Sequence, residues 1–362
     1  MKKYVQAVIG IIIGAALIWL LFRDTNWEEV GQAIKNIRWG WIAVGHIPLF
    51  ASFIFRVIRW KYIVRSVQPT SLRNLASATQ IGFLANFTLP GRAGEAIRAL
   101  VLTRLTGIPF SKSFALVALD RVTDLFGLIA VMLVAIFAFK PTQDVVIPPE
   151  TFGTPNAITF PPELYRNGAI GTGLFLVIVI GAFVMLYINK KLALRIAGAI
   201  LGVVSKKLSD FITGMMENFA EGLHVFRSPV DMFMSIFFSL VTWGCSILLF
   251  YATLEAFNMD YPWYTPFVVQ AVLSVFIAAP GAPGFVGQFH VPVVICLIMV
   301  MPSMNVNDAK AYAIISHLIQ LPPIFLLGLY FLITDNFGLG SLGSLASEGQ
   351  KLSHEKGDSD QS

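Results

Sequence analysis

The chain has 362 residues, of which 56% are hydrophobic and only 13% are charged. A soluble domain carries about 25% charged residues, so this chain has roughly half of the ionic surface that a protein in water needs. The composition therefore excludes a soluble enzyme, a nucleic-acid-binding module and a disordered scaffold, and it predicts a polytopic membrane protein. The two cysteines, Cys245 and Cys296, lie in apolar runs without CxxC spacing, which supports neither a disulfide framework nor a zinc site.

Apolar runs of about 20 residues, the length that a membrane-spanning helix needs, occur along the whole chain. The first run is not a cleaved secretory signal, because its apolar core is too long and no small-residue cleavage site follows it. We therefore predict an all-α integral membrane protein with six transmembrane helices. The predicted spans are Tyr4–Phe22, Gly40–Val64, Ser113–Phe139, Ala169–Ile188, Val230–Ala256 and Ala309–Thr334.

Two further apolar stretches, Leu75–Leu89 and Thr265–Ala279, are too short to cross a bilayer. Each ends at a Pro/Gly cluster and is followed by a second short helical stretch, to about Leu105 and Met301. Broken helices at membrane depth are tolerated only inside protein or beside a wet cavity. Each stretch is predicted to be a re-entrant helical hairpin that enters and leaves by the same face. The predicted turn residues are Pro90, Gly91 and Gly94 in the first hairpin and Pro280, Gly281 and Gly284 in the second.

Lysine and arginine counts predict the orientation of these elements. With the N-terminus inside, 19 of the 26 basic residues fall on the cytoplasmic side and 6 on the opposite side, and Arg121 is left in the membrane. Cytoplasmic loops of membrane proteins carry an excess of Lys and Arg. The count predicts that both termini are cytoplasmic in a multi-pass protein of the cytoplasmic (inner) membrane.

Three segments outside the spans are irregular. Lys140–Asn167 contains six prolines and is predicted to be an extracytoplasmic loop. The linker at about residues 190–228 has apolar residues at helical spacing between charged ones, which indicates either a helix on the cytoplasmic surface or a soluble helical linker. Residues 338–362 are Gly/Ser-rich and polar, and we expect a disordered cytoplasmic tail.

The membrane domain, residues 1–337, is predicted to contain an inverted repeat, about 40–139 and about 229–334. A shift of 190 residues superposes the two broken stretches, and each is preceded and followed by a full span. Because the charge count opens the two hairpins toward opposite sides, the halves have opposite topology, an arrangement that transporters use to present one central site alternately to each side. Duplication preserved only for packing is the alternative. The matched positions are Gln80, Pro90, Gly91 and Gly94 with Gln270, Pro280, Gly281 and Gly284.

At these residues the sequence resembles the lysylphosphatidylglycerol synthase transmembrane family, whose members are also called flippase-like proteins. The resemblance covers roughly Tyr4–Thr334. It is carried by Asn86-Phe87-Thr88-Leu89-Pro90-Gly91-Arg92-Ala93-Gly94-Glu95, Arg98, Asp120-Arg121 and Pro280-Gly281-Ala282-Pro283-Gly284.

The resemblance implies lipid translocation, because the family's best-known member moves aminoacylated phosphatidylglycerol between leaflets. That member also has a large soluble aminoacyl-transfer domain, which we do not expect in this chain, so aminoacyl-lipid synthesis is not expected either. Stand-alone relatives are often linked with glycolipid or polyprenyl-phosphate pathways, so those lipids are also candidate substrates.

The first hairpin supplies three candidate binding residues, Arg92, Glu95 and Arg98. An ionisable group at membrane depth is costly unless it is paired or functional. Arginine suits a lipid phosphate because its planar fork donates two hydrogen bonds. The alternatives are an Arg92–Glu95 ion pair that closes the turn and, for Arg98, a snorkelling residue near the cytoplasmic surface.

The following span supplies Asp120, Arg121 and Asp124. The two aspartates share a helix face, and Arg121 can reach Asp124 at a spacing of three. One interpretation is a self-neutralising structural cluster. In the functional alternative Arg121 completes a phosphate site, and Asp120 faces a cationic headgroup or carries a proton.

In the second half, His317 falls near the Asp120-Arg121 position when the following spans are aligned, and Gln288 and His290 follow the second turn. A lone membrane histidine is more often a hydrogen-bonded packing residue than a proton relay, so both roles stay open. No cluster has metal-ligand spacing, and we expect no metal and no cofactor.

The leading hypothesis is a lipid flippase that moves an anionic or aminoacylated phospholipid, or a related lipid-linked headgroup, between leaflets. A second is an integral-membrane enzyme on polyprenyl-phosphate or glycolipid intermediates, with Glu95 or Asp120 as general base, although no convincing catalytic constellation is present. A third is an accessory subunit of a glycosyltransferase or lipid-synthesis enzyme. The expected partners are phosphate-bearing membrane lipids, such a subunit or a second copy of the chain, and not nucleic acid.

Overall fold

The computed structural model describes residues 2–89, 93–206, 209–210, 213–214, 216, 228–279, 281–338, 342–345 and 348. Most of these residues are helical, with one small antiparallel pair of strands. The helices are α1 (Lys2–Phe22), α2 (Trp27–Lys35), α3 (Trp39–Val64), α4 (Leu72–Thr88), α5 (Gly94–Thr106), α6 (Phe110–Ala138), α7 (Pro162–Ile188), α8 (Lys190–Val204), α9 (Pro229–Ala256), α10 (Thr265–Ala278), α11 (His290–Val300), α12 (Val306–Leu318) and α13 (Leu321–Thr334), and the strands are β1 (Val145–Ile147) and β2 (Ile158–Phe160).

Six helical segments of the described residues are long and apolar enough to cross a membrane. Their outward faces carry large apolar side chains, as on α7, where Leu174, Phe175 and Ile178 are exposed. Such a surface fits hydrocarbon and not water. The prediction of an all-α membrane protein with about six long apolar helices is confirmed. The segments are Trp39–Val64, Phe110–Ala138, Pro162–Ala182, Pro229–Ala256, Pro283–Val300 and Val306–Thr334.

The set differs from the predicted spans in two places. The six candidate spans include Pro283–Val300, which was predicted to be part of the second hairpin. They do not include the predicted span Tyr4–Phe22. The last predicted span, Ala309–Thr334, is broken between α12 and α13. Pro322 and Pro323 lie in the first turn of α13, where the missing backbone N–H groups cost nothing, and they prevent the helix from continuing without a break.

The first short stretch folds as a helical hairpin. The two ends of this hairpin that lie opposite its turn are joined by hydrogen bonds. Gln68 Nε2 donates to the Thr106 carbonyl at 3.3 Å, and Asn74 Nδ2 donates to the Leu105 carbonyl at 3.5 Å. The N-terminus of α4 and the C-terminus of α5 are therefore neighbours. The predicted turn residues Pro90 and Gly91, together with Arg92, lie outside the described residues.

The second short stretch folds in the same way, with α10 and α11 packed side by side. Gln288 Nε2 donates to the carbonyls of Phe276 and Ala279, both at 3.2 Å, and so ties the start of the return segment to the end of α10. Gly284 has a φ of +66°, a left-handed conformation that glycine adopts readily. Pro280 lies outside the described residues.

The two hairpin tips meet inside the protein. The rings of Phe87, at the end of α4, and Phe285, in the second turn, lie 5.4 Å apart in an edge-to-face arrangement. Edge-to-face is a preferred geometry for aromatic pairs. The contact brings the two halves of the chain together at the point where both broken helices end.

Helices α3 and α9, the first spans of the two halves, run antiparallel along each other and are joined at both ends. Arg38, just before α3, is 3.3 Å from the Glu255 carboxylate near the end of α9. At the opposite end, Arg65 forms an ion pair with Asp231 in the first turn of α9. The antiparallel pair forms the seam between the halves.

Two elements outside the spans were not predicted. The proline-rich loop contains the β1–β2 hairpin, with Val145 opposite Phe160. Helix α2 is held to the start of α12 by Glu29, which accepts from Asn307 Nδ2 at 2.8 Å and from Asn305 Nδ2 at 3.2 Å. These hydrogen bonds, that of Asn307 first, hold the pKa of Glu29 below its usual range.

The linker and the tail are described only in part. Helix α8 covers Lys190–Val204, and most of the predicted surface helix beyond it lies outside the described residues. In the tail, where we expected disorder, residues 342–345 are helical, Leu345 is buried, and Glu348 lies 2.5 Å from Arg104 at the end of α5. Most of residues 338–362 lie outside the described residues, so the disordered tail stays a prediction.

Gly94 provides a test of the close packing between α4 and α5. A Cβ atom at this position would lie 2.1 Å from the Gly82 carbonyl oxygen, so a Gly94→Ala variant must push the two helices apart. We expect a free energy of unfolding lower by about 1–3 kcal/mol, measured by denaturant titration in detergent. Gly173→Ala in α7 is the matched control, because no heavy atom lies within 4 Å of its Cβ position apart from its chain neighbours and the backbone of its own helix. Equal stability of the two variants would contradict the packing.

Candidate functional site

A group of ionised side chains lies where α3, α5 and α6 meet, with Arg59, Arg98 and Asp120 buried and the others partly exposed. Helix α3 contributes Arg56 and Arg59, which share a face at a spacing of three residues. Helix α5 contributes Glu95 and Arg98 at the same spacing, and α6 contributes three residues over one helical turn. We call this group the arginine–carboxylate cluster. Its members are Arg56, Arg59, Glu95, Arg98, Asp120, Arg121 and Asp124.

Asp120 is the centre of the cluster and is fully buried, with 0% of its surface exposed. The Asp120 Oδ1 atom accepts a hydrogen bond from Arg59 Nε at 2.9 Å and also lies 2.8 Å from Arg59 Nη2. The Asp120 Oδ2 atom accepts a hydrogen bond from Arg98 Nη1 at 2.6 Å. Charge-assisted hydrogen bonds of this kind offset the high cost of burying a carboxylate.

Asp124, one helical turn further along α6, connects the cluster to the second half of the chain. It forms an ion pair with Arg59, lies 3.3 Å from Arg56 Nη1, and accepts from Trp243 Nε1 of α9 at 3.0 Å. The Arg121 Nη1 atom is 3.7 Å from the same carboxylate. Asp124 is therefore shared by three arginines and an indole.

The cluster carries more positive than negative charge within the part of the chain that the structure describes. Four arginines face three carboxylates. The Nε and Nη2 atoms of Arg98 and the Nε of Arg121 are buried and have no hydrogen-bond partner among the described residues. The Arg98 guanidinium also stacks on the Trp60 ring, with its Cζ 3.7 Å from the ring centroid. Unpaired donors of a buried cation are free to bind an anion.

A cavity of about 230 Å³ lies beside the cluster, between the two halves. It is smaller than the pockets that enclose whole drug-sized ligands. Phenylalanine side chains from both halves form much of its wall. Its other polar or ionisable lining residues are Ser52, Arg56, Cys245, Ser246, Gln270, His317 and Gln320.

Arg56 belongs to both the cavity and the cluster. Its guanidinium lies 3.3 Å from Asp124 and stands over the Phe83 ring, with Cζ 5.3 Å from the centroid. Among the described residues that line the cavity, Arg56 is the only one with a charged side chain. The positive charge of the cluster therefore reaches the cavity through this residue.

The predicted site residues of the first half that the structure describes all belong to the arginine–carboxylate cluster. Asp120, Arg121 and Asp124 come together with Glu95, whose carboxylate lies 3.6 Å from Arg121 Nε. Arg98, for which a position near the cytoplasmic surface was considered, is instead 2% exposed and bound to Asp120. The Arg92–Glu95 pair lies partly outside the described residues. Arg121 does not line the cavity.

The predicted residues of the second half have different surroundings. His317 lines the cavity and lies 2.9 Å from the Gly284 carbonyl through its Nε2. Gln288 is buried, does not line the cavity, and holds the second hairpin together; a Cβ atom on Gly281 would lie 1.5 Å from its Oε1. These contacts give Gln288 and Gly281 a packing role in the turn.

Arg56, Arg59 and Trp243 were not predicted as site residues. Both arginines were counted among the 19 basic residues of the cytoplasmic side, although they lie within the apolar run that became α3. Their spacing of three residues, followed by Trp60, was the available signal, because it places charges on one face of a membrane helix. Trp243 gave no signal, since its partner lies on another span.

Comparison with known proteins gives a family match and distant relatives. Residues 7–328 match the family described as lysylphosphatidylglycerol synthase TM region. The chain is 23% identical to the glycosyltransferase AglD of Haloferax volcanii over 99% of this chain and 59% of that protein, so it spans less than two thirds of this relative. It is 22% identical to a UPF0104 membrane protein of Methanothermobacter thermautotrophicus, over 79% of this chain and 82% of that protein.

An Asp120→Asn variant tests whether the cluster depends on its central carboxylate. The change leaves Arg59 and Arg98 buried with too little negative charge, so we expect the free energy of unfolding to fall by about 3–5 kcal/mol. Unfolding by denaturant in detergent measures this value. Asp144→Asn, at an exposed position in the proline-rich loop, is the control and should change stability by about 0.5 kcal/mol or less. Asp120→Asn with the stability of the control would show that the carboxylate is dispensable.

Proposed function

We propose a lipid-transport function for this chain, which belongs to the lysylphosphatidylglycerol synthase transmembrane family. The phosphate-bearing headgroup of an anionic or aminoacylated phospholipid, or of a related lipid-linked intermediate, enters the cavity between the halves and crosses to the other leaflet. The acyl chains stay in the bilayer. The observation that carries this proposal is the cavity with Arg56 in its wall, backed by a cluster with excess positive charge.

The chemistry of the cavity favours a phosphate. Arg56 presents a planar donor group, and Gln270 and Gln320 add neutral amides that can donate to phosphate oxygens. No carboxylate lines the cavity among the described residues, so nothing there repels an anion. The aromatic side chains in the wall lower the local dielectric constant relative to water, which strengthens the attraction between a guanidinium and a phosphate.

The arrangement of the two halves supports alternating access. In each half a long span, a helical hairpin and a further helical segment follow in the same order, and α3 and α9 run antiparallel. We propose that the hairpins are re-entrant and that the halves form an inverted repeat across the membrane plane. Since the cavity lies at the contact between the hairpin tips, relative movement of the halves opens it to one leaflet and then to the other.

We also propose that both termini face the cytoplasm and that the protein resides in the cytoplasmic membrane. Arg56, Arg59 and Arg98 lie in the cluster and no longer count as loop residues. Sixteen basic residues then remain on the proposed cytoplasmic side against six on the other, so the asymmetry persists.

A second candidate is an enzyme or accessory subunit that acts on polyprenyl-phosphate or glycolipid intermediates. The match to a protein named as a glycosyltransferase favours it. We do not propose a catalytic role as the leading function, since the carboxylates of the cluster are bound to arginines and not poised as bases. A chemically altered lipid, found by mass spectrometry after incubation with the protein, would favour the enzyme instead.

Single cysteines test the topology. Cys245, which lines the cavity, and the buried Cys296 are both replaced by serine, so that an added exposed cysteine is the thiol that a membrane-impermeant maleimide labels. We expect labelling of Asp144→Cys, but not of Lys191→Cys, from outside intact cells, and the reverse in inverted vesicles. Labelling of both from the same side would contradict the proposed orientation.

Leaflet exchange in proteoliposomes tests the function. Fluorescent phosphatidylglycerol, phosphatidylcholine and a polyprenyl phosphate are incorporated, and exchange is followed by chemical quenching of the outer leaflet. Wild-type protein should accelerate exchange of at least one phosphate lipid.

Arg56→Gln should slow this lipid exchange about tenfold or more, because a charge-assisted hydrogen bond is lost. Lys61→Gln removes the same charge from an exposed position on α3 and should have no effect. Wild-type rates equal to those of empty liposomes for all three lipids would contradict the proposal.

A further inference from the structure

His290 and His317 form a buried pair at the edge of the cavity. Their rings meet edge to face, with centroids 4.8 Å apart, and Phe289 stacks on His317 at 4.7 Å. His317 is 5% and His290 is 7% exposed. His290 comes from the start of α11 and His317 from the end of α12, so the pair joins the second hairpin to the broken last span.

The hydrogen bonds determine which ring nitrogen of His317 carries a hydrogen, and they leave the Nδ1 of His290 without a partner among the described residues. The Gly284 carbonyl can only accept, so the His317 Nε2 at 2.9 Å carries a hydrogen and donates to it. When His317 is neutral, its Nδ1 therefore holds a lone pair. The Nδ1 of His290 is buried and has no hydrogen-bond partner among the described residues. A buried nitrogen without a partner is uncommon and calls for an explanation.

Among the described residues, no negatively charged side chain lies next to the histidine pair to balance an added proton. Phe22 of α1 faces the His290 ring at 6.0 Å, and the Gly284 carbonyl of the second turn lies 2.9 Å from His317 Nε2. Across the cavity α3 presents Arg56, and the remaining titratable lining group is the Cys245 thiol of α9. No carboxylate lines the cavity among the described residues. A proton on His317 would thus add a second cation to a cavity that already holds one.

We propose that the His290–His317 pair is a proton-binding site that takes up one proton together with an anionic headgroup. The pair accepts only one proton, since two imidazolium rings at this separation repel each other. The headgroup stabilises the protonated pair, and by reciprocity the proton raises the affinity for the headgroup. The inference rests on the proposed function for the identity of the anion, and it adds a proton as a second transported or regulatory ligand.

The site predicts the sign of a pH effect. An imidazole gains a proton as a solution becomes acidic, and the negative charge of a bound headgroup favours the protonated form, so the pair takes up its proton together with the anion on acidification. Affinity for a phosphodiester should therefore rise on acidification, by at least about tenfold between pH 7.5 and pH 5.5 if one proton binds with each anion. A phosphodiester keeps one negative charge over this range, which leaves the protein as the source of the effect.

The experiment measures binding of dihexanoyl phosphatidylglycerol to the purified full chain in detergent at both pH values. A His290→Gln/His317→Gln variant keeps an amide donor for the Gly284 carbonyl but has no imidazole in the pair to take up the proton. It should bind with the same affinity at both pH values. His46→Gln, in α3 and away from the cavity, is the matched control and should retain the wild-type pH dependence. Nitrogen-15 NMR of labelled histidines, of which the chain has five, counts the protons on the pair.

The outcomes separate this proposal from the proposed function. Wild-type binding with equal affinity at both pH values would overturn the proton site while leaving phosphate binding in place. Absence of wild-type binding at either pH would contradict the proposed function, and the coupled proton site with it. In the NMR titration with dihexanoyl phosphatidylglycerol bound, uptake of one proton by the pair supports the site, and uptake of none or of two overturns it.

Discussion

The structure depends on the burial of Asp120 between Arg59 and Arg98. A fully buried carboxylate is stable only with strong donors, and here two arginines from different helices supply them at 2.6–2.9 Å. The interaction fixes α3 and α5 against α6, and Asp124 extends it to Trp243 of α9. Because lipid offers no polar partners, these helices have few alternative ways to pack without stranding a charge.

That constraint also shapes the cavity. The cluster holds one more arginine than carboxylates among the described residues, and Arg56 carries this positive charge into the space between the halves. Around it the hairpin tips meet at Phe87 and Phe285, and the break between α12 and α13 places Gln320 in the wall. A cavity that needs an anion for full charge balance, at the contact of two broken helices, is the physical basis of the proposed lipid transport.

Much of the fold follows from local sequence patterns. Apolar runs and Pro/Gly clusters predicted the helices and both short hairpin stretches, because run length and backbone breaks are local properties. The roles of Arg56 and Arg59 could not be obtained from a loop count of basic residues, since their partners Asp120 and Asp124 lie some 60 positions away. The break at Gln320 was missed although Pro322 and Pro323 signal it, as the apolar run continues through it. The β1–β2 hairpin depends on pairing between short strands in a proline-rich loop, which periodicity does not predict.

The most direct test of the central claim is the position of a lipid phosphate relative to Arg56. Cryo-electron microscopy of the protein in nanodiscs that contain anionic phospholipid can locate it. The account predicts phosphate density in the cavity within hydrogen-bonding distance, about 2.7–3.2 Å, of the Arg56 guanidinium, with acyl-chain density leading toward the bilayer. Ordered lipid phosphates found only at the membrane surface, with water alone beside Arg56, would contradict it.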